Sequence, residues 1–182
     1  MKNGSVLKIL IFILSFFGIS QGYAIAYHHG RYQQRYQQAE KITMYTVAKG
    51  VAPRNIGYIQ ARDTPLGLLL VPHLSHVPQG FHGFHVHVNP SCADHGLAAG
   101  GHLDPQHTNK HLGPYDNGHL GDLPVLYANR QDKILGPVIA PRLTLAKIRH
   151  HSLMIHAGGD NYSDQPVKLG GGGARYACGV VK

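Results

Sequence analysis

Short runs of apolar and β-branched residues, several of them alternating with polar residues, recur from residue 41 onward. The first four runs are KITMYTV, NIGYIQA, LGLLLVP and FHGFHVHV, and Gly, Pro, Asn and Asp separate them. Such runs bounded by turn residues predict β-strands. DLPVLYAN and KILGPVI predict a hairpin around NRQD, and SLMIH and RYACGVV predict the last two strands. Many short strands of this kind indicate an all-β fold, an antiparallel sandwich or barrel.

Two long stretches lack this pattern. The first spans residues 89–121 and is rich in Gly, His, Pro and Asp, and the second spans 157–174 and is rich in Gly. A loop that long inside a compact domain needs a reason, and bound metal can hold such a loop without a hydrophobic core. Between the two stretches, LTLAKI predicts a short helix with Thr144 at its N-cap.

The first 26 residues have the layout of a secretory signal peptide. The segment has lysines near its start, an apolar run from Val6 to Ile19, and the small-residue pattern Ala24-Ile25-Ala26 at its end. An uncleaved membrane anchor is the alternative, although the apolar run is shorter than the roughly 20 residues that span a bilayer. We therefore expect residues 1–26 to be removed and the mature chain to be exported.

Residues 27–40, YHHGRYQQRYQQAE, lack core periodicity and predict a flexible leader rich in Tyr, Gln and His. Residues 41–182 are then the single folded domain. Without Lys2 and Lys8 of the signal peptide, the net charge falls from +8 to +6, a mild excess that favours anionic ligands. Export also favours a disulfide between Cys92 and Cys178 over two free thiols.

The stretch GFHGFHVHVNPSC, residues 80–92, contains three of the 15 histidines of the chain. His85 and His87 alternate with valines, so both imidazoles project from one face of a strand. Such a pair suits one metal ion, and it equally suits two half-buried surface histidines. His82 lies off that face by strand parity, and we expect no ligand role for it.

The long loop that follows supplies further metal-binding side chains. GGHLDPQHTNKHLGPYDNGHLGD contains His102, His111, His119 and Asp122, and this mixture of nitrogen and carboxylate ligands suits tetrahedral zinc. His156 ends the run SLMIH, next to the second long loop. Six histidines and one aspartate would serve two metal ions if one histidine were shared.

Six segments together resemble the copper/zinc superoxide dismutases, and above all their exported bacterial branch. They are, in chain order, GFHGFHVHVNPSC, AAGGHLDP, KHLGPYDNGHLGDLP, PVIAPRL, SLMIHAGGDNYSD and LGGGGARYACGV. With the strands before them they cover residues 41–182. The resemblance implies an eight-stranded antiparallel Greek-key β-barrel, an immunoglobulin-like sandwich, with two long loops over a metal site.

Carried over position by position, the resemblance implies one copper and one zinc ion per subunit. The implied copper ligands are His85, His87, His102 and His156. The implied zinc ligands are His102, His111, His119 and Asp122. His102 is shared, and its ring must lose both N–H protons to bind two metals, because a neutral imidazole has one lone-pair nitrogen.

The same resemblance implies an oxidoreductase, a periplasmic superoxide dismutase that converts superoxide to O2 and H2O2. Copper would alternate between two oxidation states during this reaction, which would protect the cell envelope from oxidative damage. It implies two catalytic residues, His102 as a proton carrier and Arg175 as the dock for the superoxide anion. Asp160 is implied to link a copper ligand to a zinc ligand. Cys92 and Cys178 are implied to form the family's disulfide.

The chain departs from the exported branch after Cys92. Only ADHGLA separates this cysteine from the AGGH motif, where relatives carry a longer insert that helps to form the dimer contact. We expect a homodimer with superoxide as its substrate, and no nucleic acid or membrane as a partner after signal cleavage. The alternative function is a copper- and zinc-binding buffer or carrier with the same fold and no turnover.

Overall fold

This computed structural model describes residues 39–50 and 52–182, which form ten β-strands and one short α-helix. The strands are β1 Ala39–Thr46, β2 Asn55–Thr64, β3 Gly67–Ser75, β4 Gly80–His82, β5 Phe84–His87, β6 Leu126–Ala128, β7 Lys133–Ile134, β8 Val138–Ala140, β9 Ser152–His156 and β10 Arg175–Val180. The helix is α1, Leu145–Ile148. None of the helical segments described is long and apolar enough to span a bilayer.

Eight of the strands form one antiparallel sheet in the order β5-β9-β10-β1-β2-β3-β7, with β8 also paired to β3. β4 and β6 form a separate two-stranded ladder. This ladder connects the two ends of the large sheet, because β4 runs into β5 through Gly83 and a turn at Asn129 leads from β6 to β7. The all-β antiparallel barrel predicted from the sequence is confirmed, and it consists of the eight-stranded sheet and the two-stranded ladder.

Two predicted strand elements differ from the structure. FHGFHVHV is two strands, because the Gly83 N–H leaves the ladder and donates to the Gly158 carbonyl oxygen at 2.8 Å. The predicted hairpin is wrong, although its turn forms around Asn129, whose Oδ1 accepts from the Lys133 N–H at 3.1 Å. Pro137 interrupts KILGPVI since it has no N–H for a ladder, and both β7 and β8 pair with β3 while β6 pairs with β4.

The start of the barrel lies slightly earlier than the expected start at Lys41. β1 begins at Ala39, because its first residues pair with the last residues of the long strand β2. The last two residues of the expected leader, Ala39 and Glu40, therefore belong to the sheet. The expected signal peptide and the rest of the leader, up to residue 38, lie outside the described residues.

The N-terminus of α1 is capped by a different residue from the one expected. Thr144 makes no side-chain cap hydrogen bond. Instead, Oδ1 of Asp63, a buried residue of β2, accepts the Leu145 N–H at 2.6 Å. Since the first N–H groups of a helix have no partner inside it, this bond both satisfies a donor and ties α1 to the barrel.

One apolar core fills the barrel and draws side chains from most of its strands. Its members include Ile42, Ile59, Leu70, Phe84, Val86, Leu126, Ile134 and Leu153. A smaller apolar cluster lies beside Cys92 and consists of Val47, Ala99, Met154 and Cys178. Because β5 gives Phe84 and Val86 to the core, its two histidines face the opposite side, toward the long loops.

Candidate metal centre

β5 forms the floor of the centre. His85 and His87 are 0% and 1% exposed, although they point away from the apolar core. The first long loop covers them by pairing with β5: the Val86 N–H donates to Gly121 O, and the Leu103 N–H donates to Val86 O, both at 2.8 Å. Gly121 is required at this crossing, because a Cβ there would lie 2.3 Å from the Val86 carbonyl oxygen.

The same pairing brings ligand-type residues of the loop beside those of the strand. Isolated β-bridges join His85 to Asp122 and His87 to His102. On the other side of β5 lies β9, and its last residue is His156. The backbone of two strands and one loop therefore gathers these side chains from distant positions in the sequence.

The gathered side chains form two clusters, in each of which the ligand atoms lie within 4.8 Å of one another. The first cluster consists of the four residues expected to bind copper, His85, His87, His102 and His156. The second contains His85, His102, His111 and Asp122. His102 belongs to both clusters, and its ring lies 5.1 Å from that of His87 and 5.4 Å from that of His111, measured between centroids.

The second cluster differs from the expected zinc set by containing His85 in place of His119. His85 has one nitrogen, Nδ1, available for a metal, because its Nε2 bonds Asp160 Oδ2 at 2.8 Å. It can therefore serve one ion, and the first cluster already includes it. Asp122 Oδ1 lies within 3.4 Å of Nδ1 in all three expected zinc histidines, His102, His111 and His119.

Six ligand atoms in and beside these clusters are buried and have no hydrogen-bond partner among the described residues. They are His85 Nδ1, His87 Nε2, His156 Nε2, His111 Nδ1, His119 Nδ1 and Asp122 Oδ2. Leaving one buried polar atom without a partner costs roughly 1–3 kcal/mol, so this concentration of them favours a bound ligand. Imidazole nitrogens and a carboxylate oxygen are donors for copper and zinc, and the residues fit two such ions.

Burial keeps the histidines of the first cluster neutral. It lowers the pKa of His85 to about 3, that of His87 to about 2 and that of His156 to about 4. Burial lowers the pKa of His102 as well. A neutral imidazole is the form that binds a metal ion, so this cluster is ready for a cation at neutral pH.

His111 has the opposite electrostatic environment. Burial acts to lower its pKa, but the carboxylates of Asp122 and Asp160 outweigh burial and raise the pKa to about 9. Burial would raise the pKa of each carboxyl group, yet the surrounding histidines, His102 foremost for Asp122 and His111 for Asp160, hold both pKa values well below the ordinary range. This half of the centre therefore keeps negative charge, and a metal ion bound here would displace the His111 proton.

Asp160 lies between the two clusters and contacts a histidine of each. Its Oδ2 accepts from His85 Nε2 and its Oδ1 from His111 Nε2, each at 2.8 Å. These bonds fix the orientation of both rings and leave both Nδ1 atoms facing the centre. Gly170 is required beside it, because a Cβ there would lie 1.8 Å from Asp160 Oδ1.

Arg175 opens β10 beside the first cluster, opposite the end of β9. Its guanidinium donates to the carbonyl oxygens of Gly96 and Gly100, the second at 2.6 Å. The disulfide between Cys92 and Cys178 is present, and it ties the loop that carries these carbonyls to β10. The loop and the strand that position the guanidinium are thus linked covalently.

Sequence reasoning missed three side chains that hold the backbone of the centre: His82, Asp164 and Arg142. His82 is buried, and its ring nitrogens lie 2.7 Å from the carbonyl oxygens of His156 and Pro78. Asp164 accepts the His111 N–H at 2.9 Å. No sequence signal marks such residues, because each acts on the backbone of a residue far away in the chain.

The sequence and the fold both match known proteins. The family model described as Copper/zinc superoxide dismutase (SODC) matches residues 55–181. A Legionella pneumophila protein named superoxide dismutase (Cu-Zn) is 50% identical over 144 residues, covering 79% of this chain and 88% of that protein. The solved Cu/Zn superoxide dismutase from Brucella abortus has 47% identity and a TM-score of 0.76, covering 80% of this chain and 100% of that one. The monomeric copper, zinc superoxide dismutase from Salmonella enterica has 52% identity and a TM-score of 0.69 with the same coverage.

The family match extends from the start of β2 to the end of the barrel, and so includes both clusters. It also includes Arg175 and both cysteines. The solved relatives agree with it in fold as well as in sequence. The chain belongs to the copper/zinc superoxide dismutase family.

Proposed function

We propose that this chain is an oxidoreductase that dismutates superoxide to O2 and H2O2 and so protects the cell envelope from oxidative damage. Family membership supports the reaction and its two metals. The structural observation that carries the proposal is the set of six buried, unpartnered ligand atoms beside two clusters that share His102. A purely structural surface protein would be destabilised by this arrangement and would gain nothing from it.

The two clusters differ in donor type, and this difference supports the proposed assignment of the metals. Copper would be held by His85, His87, His102 and His156. Zinc would be held by His102, His111, His119 and Asp122. Four nitrogen donors suit Cu(II), whereas a mixed nitrogen and carboxylate set suits Zn(II). Bound copper supplies one-electron redox chemistry at this centre.

Arg175 is suited to docking the superoxide anion. Its guanidinium is fixed by two backbone carbonyls, and among the described residues no carboxylate forms an ion pair with it. The side chain is only partly buried and stays accessible to a small anion. A fixed positive charge beside the first cluster raises the local concentration of the anion and orients it.

His102 is suited to carrying a proton. Its Nδ1 bonds Asp122 Oδ1 at 3.0 Å, which leaves Nε2 as the atom available to the first cluster. Because burial lowers the pKa of His102, a proton held at Nε2 passes readily to a more basic product oxygen. Two superoxide ions and two protons give one O2 and one H2O2, so atoms and charge balance.

A superoxide-removal assay with protein loaded with both metals tests this proposal. Arg175→Ala should lower the rate about tenfold or more, since steering by a fixed charge is worth that much, while both metals stay bound. Arg62→Ala, which removes an exposed arginine of β2, is the matched control and should leave the rate unchanged. Loaded wild-type protein that removes no superoxide would favour the metal buffer or carrier instead.

The processing and location of the chain belong to the same proposal. Residues 1–26 would be removed as a signal peptide, and 27–38 would precede the barrel as a leader. The Cys92–Cys178 disulfide suits the oxidising periplasm. N-terminal sequencing of the protein from a periplasmic fraction should begin at Tyr27, and a cytosolic chain that keeps Met1 would contradict this.

A homodimer is the proposed assembly, and an exposed apolar surface supports it. Phe81 and Tyr127 on the β4–β6 ladder are 61% and 50% exposed, and their rings lie 5.1 Å apart. Leu135 is 56% exposed and lines an adjoining cavity of about 340 Å³ together with Tyr127. Large side chains exposed together mark interaction surfaces, and a two-fold contact uses one patch twice.

Sedimentation of the purified protein at micromolar concentration tests the assembly. The expected mass is that of two chains, and Tyr127→Ser should shift it to one. Leu66→Ser, at the exposed β2–β3 turn, is the control and should keep the dimer. A single-chain mass for the wild type would contradict the dimer and leave the proposed reaction untouched.

A further inference from the structure

The segment that carries His111 and His119 contains no strand of its own. Within it, the His119 N–H donates to the Lys110 carbonyl oxygen at 2.8 Å. Gly118 permits this crossing, because a Cβ there would lie 2.5 Å from the same oxygen. The segment is therefore a small closed unit, and its position over the barrel depends on contacts from outside the loop.

Arg142 provides such a contact from the barrel. Its Nη2 donates to the Gly118 carbonyl oxygen at 2.8 Å, and its Nη1 donates to the His119 carbonyl oxygen at 3.1 Å. A planar guanidinium that makes two bonds fixes direction as well as distance. In the part of the chain that the structure describes, Arg142 forms no ion pair, so these two carbonyls are the groups that hold its charge.

Arg142 is itself firmly placed. It lies in the turn between β8 and α1, next to Leu143, which is buried in the apolar core. Its own carbonyl oxygen accepts from Lys147 Nζ at 3.0 Å, and α1 is fixed by the bond from Leu145 to Asp63. The guanidinium thus projects onto the loop from a rigid corner of the barrel.

His119 is the ligand-type residue that depends most on this contact. Its Nδ1 lies 3.4 Å from Asp122 Oδ1, whereas Nδ1 of His111 lies 3.0 Å away. The ring of His111 is also held by Asp160 at 2.8 Å. The position of the His119 ring therefore follows from the backbone of its segment more than from bonds to the ring itself.

We propose that Arg142 is a positioning residue for zinc: it acts through the backbone to hold the His119 imidazole within reach of the ion. The inference rests on the proposed zinc site. Arg142 touches neither the metal nor its ligand atoms, and it stands apart from the four copper ligands. Its loss should therefore affect one metal and spare the other.

Chelator competition on copper- and zinc-loaded protein tests this, with both metals quantified separately. Arg142→Gln should weaken zinc retention about tenfold or more, the usual effect of losing an outer partner of a metal ligand, and leave copper retention unchanged. Arg142→Lys, which can reach one carbonyl, should recover part of the loss. Arg62→Gln, the exposed control, should match the wild type.

Co(II) in place of zinc provides a second measurement that does not depend on activity. Its absorption spectrum should change in Arg142→Gln and return toward the wild-type spectrum in Arg142→Lys. Unchanged zinc retention, or equal loss of both metals with no recovery by lysine, would overturn the role of Arg142. Wild-type protein that binds no zinc would instead overturn the proposed zinc site, so the two failures are distinguishable.

Discussion

The copper half and the zinc half of the centre have different kinds of support. His85, His87 and His156 lie on β5 and β9, which pair with each other in the barrel. The zinc-half residues other than the shared histidine lie on a loop and are held by side chains from outside it. The strands place their ligands through a hydrogen-bonded ladder, whereas the loop needs Asp160, Asp164 and Arg142. Substitutions in the two halves should therefore have different effects on metal binding.

Substitutions that remove one proposed ligand from each half should have the strongest effect. His87→Ala takes a nitrogen from the strand-supported half, so superoxide removal should fall to the level of metal-free protein while zinc stays bound. His119→Ala should lose zinc but keep copper, because β5 and β9 still hold their histidines. Metal analysis and a rate assay on both variants measure this. Equal loss of both metals in both variants would show that the halves are not independent.

The disulfide between Cys92 and Cys178 fixes a loop of the centre without supplying a metal ligand. It closes a separation of 86 residues, and a loop of that size constrains the unfolded chain by about 4.6 kcal/mol in the entropy model. The double variant Cys92→Ser, Cys178→Ser should lose free energy of unfolding of that order. It should also lower the rate at full metal content, because the carbonyls that anchor Arg175 are released. Urea unfolding with an unchanged midpoint would contradict this.

The smallest expected effect concerns the pH dependence of the metal-free protein, in which the halves should act in opposite directions. The pKa of His85 is lowered by burial from 6.5 to about 3 and that of His156 to about 4. The unfolded chain therefore binds more protons below pH 6.5, and stability is lost as the pH falls through that range. The pKa of His111 is raised to about 9 by Asp122 and Asp160 despite burial. Its contribution is complete below pH 6.5 and is lost as the pH rises through 9.

Urea unfolding of the metal-free protein at a pH of about 4.5, 6.5 and 9.5 tests both signs. The free energy of unfolding should be highest at the middle value. His111→Gln should remove the decline on the alkaline side and keep the decline on the acid side. A free energy that rises steadily from acid to alkaline pH would show that the zinc half does not hold a proton in the way described.

Local pattern predicted most strands of the barrel and the placement of the strand-borne histidines, while their ligand roles came from the family resemblance. His85 and His87 follow from the two-residue period of a strand, and His156 from its place at the end of SLMIH. The hairpin expected around NRQD was wrong for a physical reason. The turn at Asn129 is local and was readable, but the partners of β6 and β7 are set by the closure of the barrel, which is not encoded in the turn.

The loop-supported half could be predicted from the sequence only in part. The histidines and Asp122 are recognisable by type and through the family resemblance. Arg142 and Asp164 are not, because each acts on the backbone of a residue that the fold brings near. Asp63, which caps α1 from β2, was missed for the same reason. Contacts from a side chain to a distant backbone group leave no periodic signal in a sequence.

We propose that His102 belongs to both metal sites, and the spectrum of bound copper is the most sensitive probe of such a shared histidine. In the wild-type protein, removal of zinc should change the electron paramagnetic resonance spectrum of Cu(II), because one imidazole would contact both ions. In His102→Ala reloaded with copper, adding or removing zinc should leave the spectrum unchanged. A wild-type copper spectrum that does not change when zinc is removed would contradict a shared His102.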